Sequence, residues 1–159
     1  MITLRQLIEL ISTDYVQDMF SDHGEVAPVF FGLDPNQKMT VVTIGGTPEG
    51  GLEVEPLREI ARQRQMTMCV TVFEAWGLST AERPSDEILR RGIPRDHPDR
   101  EEIVMFSGEG PDEYLMGRRR IVRTPGHDPC LGPLEIVGAR RSEGHMIGLL
   151  PRPEGMADN

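Results

Sequence analysis

Between Met66 and Trp76 the chain reads MTMCVTVFEAW, and apolar residues occupy both phases of the alternation: Met66, Met68, Val70, Val72 and Trp76 on one, Cys69, Phe73 and Ala75 on the other. Successive side chains of a strand point to opposite faces, so a strand apolar in both phases has to be covered on both. The segment therefore predicts a central strand with a layer packed against each face. Val70, Val72 and Phe73 are expected to be almost fully buried and Trp76 largely so. Such a strand organises a core and carries no chemistry of its own.

A chain of 159 residues suits one domain, which at that size buries roughly 70% of the surface its unfolded form exposes. The net charge of −9 argues against a general nucleic-acid binder, since such proteins need cationic surface to displace the counterions around phosphates. Lys38 is the sole lysine among 17 Lys and Arg residues, a bias without functional meaning. Two cysteines, Cys69 and Cys130, make no disulfide framework and fit a reducing compartment. No apolar run approaches the roughly 20 residues of a membrane span, and Arg5 and Glu9 interrupt any signal-peptide core. A cytoplasmic protein without membrane association is expected.

Leu4, Leu7, Ile8, Ile11, Tyr15 and Met19 recur at helical spacing behind a Thr3/Gln6 capping box, predicting an amphipathic helix over 4–20 that Gly24 ends. Residues 26–31 and 38–44 read as a hairpin around an Asp34-Pro35-Asn36-Gln37 turn, with Pro28 assigning the first strand to an edge. Pro56, Leu57, Ile60 and Ala61 mark a short helix to about Arg64. A long polar connector, 79–100, has room for one or two helical turns at Ser85 to Arg91. Residues 101–108 and 113–123 flank a Glu109 to Asp112 turn as a second hairpin, and two weaker strands follow at about 134–141 and 145–150. The predicted fold is a single α+β domain over 1–150, with a mainly antiparallel sheet, an N-terminal amphipathic helix and a second short helix. Residues 151–159 are expected to be a flexible tail. The opening order of elements resembles profilin-like and roadblock-like domains and the start of MPN/JAB-type domains, a likeness that transfers no function.

Four constellations could carry chemistry. Gly45-Gly46 and Gly50-Gly51 lie between a strand and a helix but lack the spacing and the Lys-Ser/Thr of a phosphate loop, so a flexible connector is the better reading. His127-x-x-Cys130 has half-site zinc spacing without a second pair, which favours a tight Pro/Gly loop; no metal and no cofactor are expected. The His-x-His of a JAB metalloprotease is missing. Around His97, Asp96 and Asp99 could orient an imidazole as general base, as in a hydrolase using His97, Asp99 and His127, yet no nucleophile elbow stands beside them. A turn entering the next strand is the plainer account. Finally, Arg118, Arg119, Arg120 and Arg123 form the one basic cluster, and as candidate binding residues they would meet an anionic partner. With Gly108 and Glu113 flanking a four-residue loop, Glu102 falls opposite Arg119 and Glu101 opposite Arg120, which leaves Arg123 and at least one arginine of the run unpaired.

The stretches VFEAWGLS at 73–80, RPSDE at 83–87 and DHPDREEIVMF at 96–106 resemble a group of bacterial and prophage proteins with an EAW-containing strand and an HPDR-like turn into the next strand. That resemblance implies an origin and attaches no function. The reading that the residues favour is a non-enzymatic cytoplasmic domain that binds a protein partner or itself. The alternative is a hydrolase-like enzyme built on the His97 and His127 loops.

Overall fold

The computed structural model describes residues 1–49, 51–78, 85–93, 95–138 and 149–151. The chain opens on α1 (Leu4–Leu10), passes without a break through a π-helical turn at Ile11–Val16 and continues as α2 (Gln17–His23). Thr3 and Gln6 cap the start reciprocally, each side chain bonding the other's backbone N–H, and Gly24 ends the run in the left-handed conformation at φ 70°. A π turn holds one residue more than an α turn, so it shifts the phase of everything after it. For this reason Val16 and Phe20 occupy the buried positions that a 3.6-residue period assigns to Tyr15 and Met19, while Tyr15 is exposed and rests edge-on against Phe31.

Strands β1 (Val29–Leu33) and β2 (Met39–Thr43) form the first hairpin. Its turn closes through a bond from Gln37 N–H to Asp34 O, and the Asp34 carboxylate accepts from Asn36 and Lys38 N–H. Helix α3 (Glu55–Gln63) leads into β3 (Met68–Leu78), and α4 (Asp86–Arg91), capped by Ser85, precedes β4 (Arg100–Glu109). Then come β5 (Tyr114–Val122), a two-residue β6 (Cys130–Leu131) and β7 (Glu135–Gly138). The sheet runs β2-β1-β3-β4-β5 with every pair antiparallel, and the outer edge of β5 is shared, β7 pairing its first half and β6 its end. These elements make one α+β domain. The second predicted late strand, 145–150, lies almost wholly outside the described residues, as do 139–141 and the tail beyond Pro151.

β1 corrects the edge assignment drawn from Pro28. It is an interior strand, buried along its whole length, and Pro28 stands just before it, its carbonyl still accepting from Ile44 N–H. Only the missing N–H of proline restricts its place, and here none is needed.

Each face of the sheet has its own helical cover. On one, Leu4, Leu7, Ile8, Ile11, Val16 and Phe20 pack against Val29, Phe31, Val70, Val72, Val104 and Phe106. On the other, Leu57 and Ala61 of α3 meet Phe30, Met66 and Cys69, together with Leu149 and Leu150. The close packing of Met66 over β1 requires Gly32, where a Cβ would lie 2.1 Å from the Met66 sulfur. Glu109, buried at the end of β4, accepts from the N–H groups of Leu149 and Leu150 at 2.9 and 3.3 Å and so fastens that segment to the sheet. No helix among the described residues is long and apolar enough to cross a membrane.

The two covers do not reach the far half of β3. Cys69, Val70, Thr71 and Val72 are buried, but Phe73 is only half-buried, Glu74 is exposed and Trp76 is 51% exposed. The expectation of a strand buried on both faces holds for its first half and fails for its second, because the N-terminal helix ends before it reaches Trp76.

Candidate functional site

The uncovered end of the sheet is where β3 finishes, β4 starts and β5 finishes, and it gathers most of the cationic side chains singled out in the sequence. The β4–β5 loop sets their pairing. It turns one residue later than predicted, at 110–113, with Gly110 N–H bonded to Glu113 O at 2.9 Å, so that Ile103 and not Glu101 stands opposite Arg120. The register thus moves by two residues, and a shift of two leaves every side chain on its predicted face.

On the face away from the N-terminal helix, Glu101 reaches diagonally to Arg120 (Nε to Oε2, 2.7 Å) and more loosely to Arg118 (3.8 Å). Arg118 also donates to Glu135 of β7 at 3.1 Å. With Ile103 and Gly132 these four charged residues line a cavity of about 190 Å³. Two guanidinium groups face two carboxylates there, so the cavity is close to neutral and is lined by its own ion pairs. Being partly solvated, those pairs add little to stability.

Arg119 and Arg123 point to the opposite face. Arg119 turns under the N-terminal helix and donates to Gly132 O (2.7 Å), Ser12 O (3.1 Å) and Gln17 Oε1 (2.7 Å). Its burial moves its pKa below the usual arginine value, and all three partners are neutral. It is an internal brace. Arg123 pairs with Glu102, which raises its pKa, so the expectation that Arg123 stands unpaired is corrected. It exceeds the reach predicted for it because the register shift brings Glu102 within one diagonal step.

Beside that pair lies the feature the sequence reading missed. Trp76, the only tryptophan of the chain, shares this face with Arg100, whose guanidinium carbon sits 3.8 Å from the centre of the indole ring. Stacking of this kind is favourable through the ring quadrupole. The Glu74 carboxylate next along the strand accepts from Val26 N–H at 2.8 Å, tying the chain that leaves the N-terminal helix to β3. Glu74 was the legible signal: a charged residue between Val72 and Trp76 on one face marks where that face leaves the core.

The histidine candidates are dispersed over separate turns. Asp99 N–H donates to His97 Nδ1 at 3.1 Å and Arg100 N–H to His97 O at 3.1 Å, a closed turn in which Nδ1 is already engaged as an acceptor. His127 is exposed in a turn closed by its own N–H on Thr124 O, and Cys130 is exposed on β6. Among the described residues no hydrogen bond joins His97 or Asp99 to His127 or Cys130, and no three His, Cys, Asp or Glu side chains stand together as a metal would require. In the glycine connector, Thr47 N–H bonds Gly51 O and Gly51 N–H bonds the Thr47 hydroxyl, so these donors are spent within the loop; Gly50 lies outside the described residues.

The cysteines differ sharply in environment. Burial pushes the Cys69 thiol well above its usual pKa, with the neighbouring Glu109 carboxylate adding to the effect, whereas Cys130 faces solvent. The thiolate is the reactive form. A disulfide reagent such as dithionitrobenzoate should therefore label one thiol in the native protein and two in urea, and a Cys130→Ser variant should show none until unfolded. Native labelling of both thiols would contradict the buried placement of Cys69.

No family model matches this chain, and neither a curated protein nor a solved structure is detectably similar to it. Function has to be argued from the side chains themselves.

Proposed function

We propose that this chain is a non-enzymatic binding domain that engages a protein partner through the open end of its sheet, with Trp76, Arg100 and Arg123 on one face and Arg118 and Arg120 on the other. The observation that carries the reading is the half-exposed Trp76 with an arginine stacked on it. Tryptophan and arginine dominate the energetics of protein interfaces because each supplies a large, rigid contact surface with directed polarity. The exposed part of the indole is apolar area whose burial by a partner would contribute about 25 cal/mol per Å² to binding. Arg123 shares the face of Trp76, Arg118 and Arg120 lie on the other side of the same sheet end, and Arg119 serves the fold. The net charge of −9 favours a protein over a nucleic acid as the partner, and two free cysteines suit a cytoplasmic setting.

Site-specific photo-crosslinking tests this directly. A photo-reactive amino acid at Leu78, two residues beyond Trp76 on the same face and opposite Arg100, should give a discrete adduct in the native host, and the adduct should disappear when Trp76→Ala is added to the same chain. The same probe at Val41, on the opposite edge strand, should give none. Equal adducts at both positions, or an adduct indifferent to Trp76→Ala, would refute the assignment of the binding face.

A further inference from the structure

Among the described arginines at 100 and 118–123, each has an acid or a hydrogen-bond acceptor for its side chain except Arg100. Arg118 is matched by Glu101 and Glu135, Arg120 by Glu101 and Arg123 by Glu102. Arg119 has three neutral acceptors. Arg100 is flanked in sequence by two glutamates, yet Glu101 points to the other face and Glu102 is taken by Arg123. Among the described residues its guanidinium makes no ion pair and no hydrogen bond: its contact is the indole of Trp76, and its Nε is shielded from solvent without a partner. A guanidinium that finds no acid within its own fold can take a carboxylate from outside.

We infer that Trp76 and Arg100 form a recognition element for the carboxylate of an acidic side chain, presented by the partner next to an apolar residue. This rests on the binding-domain reading above and names the chemistry that its face would accept. The stacked guanidinium is a planar fork held in place before any ligand arrives, so little side-chain freedom is lost when a carboxylate pairs with its two terminal nitrogens, Nε being shielded. The exposed part of the indole supplies an apolar shelf beside that fork for the neighbouring residue. A phosphate is the poorer fit. It carries about two charges and is usually held by several cations, whereas here one cation is unmatched and Glu74 and Glu102 lie on the same face.

Because Trp76 is the only tryptophan, its fluorescence reports on this site alone. The probes are N-acetyl-Leu-Glu-Leu amide, its isostere N-acetyl-Leu-Gln-Leu amide and inorganic phosphate, each titrated to tens of millimolar at low salt, since one such contact corresponds to dissociation constants of about 1 mM or weaker. The glutamate peptide should give a saturable change in emission, the glutamine peptide should bind at least tenfold more weakly, and phosphate should bind more weakly than the glutamate peptide. Arg100→Gln, which removes no ion pair of the fold, should abolish the preference for glutamate over glutamine. Equal binding of the two peptides, tighter binding of phosphate, no saturable response to the glutamate peptide, or an unchanged preference in Arg100→Gln would each overturn the inference. The outcome is separable from the crosslinking result: an adduct that depends on Trp76 without a glutamate preference would leave the binding face standing and remove this element. A glutamate preference without an adduct would do the reverse.

Discussion

Val72→Asp will leave no soluble folded protein. Val72 is fully buried, stands between Val29 of β1 and Phe106 of β4 in the middle of the sheet, and belongs to the core beneath the N-terminal helix. Its partners on both neighbouring strands are apolar. A carboxylate placed there either stays charged without a partner or binds a proton far above its ordinary pKa, and both routes cost several kcal/mol against a total stability of about 5–15 kcal/mol. The comparison is Thr43→Asp on β2, whose residue is exposed at the sheet's free edge and which should express and melt nearly as the parent does. Soluble yield and circular dichroism measure the difference. A Val72→Asp protein as stable as its parent would mean that β3 does not run through the core.

The contrast between the two halves of β3 shows where local pattern ends and tertiary cover begins. Alternation identifies a strand and its faces, and in this chain it locates β1 to β5 to within a few residues. Whether a face is covered depends on how far a helix from elsewhere extends, and nothing at Trp76 encodes the length of the N-terminal helix. The same limit explains Tyr15 and Val16. A 3.6-residue period is legible in Leu4, Leu7, Ile8 and Ile11, but the π turn that changes the phase is favoured by what the helix packs on. Hairpin partners were readable from composition, whereas register hinges on which residue begins the loop, and there Glu109 was claimed by the backbone of Leu149 and Leu150, some forty positions away. Arg100 escaped notice for a related reason: it lies outside the run of arginines at 118–123, and its stacking partner is 24 residues distant in the chain.

Arg119→Ala should destabilise the protein by about 2–4 kcal/mol, the largest effect expected of any arginine in the cluster. Hydrogen bonds from a charged donor to partly buried acceptors are worth more than neutral ones, and Arg119 makes three, to Ser12 O, Gln17 Oε1 and Gly132 O. Two of them fall on the π turn and its C-terminal junction. There the Ser12 carbonyl, on a residue buried to 3% exposure, accepts both the Gln17 N–H of the wide turn and the Arg119 guanidinium. The third fixes the loop between β6 and β7, so one side chain joins the N-terminal helix, β5 and the far edge of the sheet. Arg118→Ala, one residue away, removes only partly solvated ion pairs and should cost about 0–1 kcal/mol. Arg119→Lys should recover only part of the loss, since an ammonium on a flexible stem cannot reach three acceptors arranged for a planar fork. Urea denaturation of the three variants gives the ranking, and amide exchange should show faster opening at Ile11 to Phe20 in Arg119→Ala than in Arg118→Ala. If Arg119→Ala unfolds within 0.5 kcal/mol of the parent, a difference typical of surface substitutions, the guanidinium braces nothing and Arg119 returns to the set of residues available to a partner.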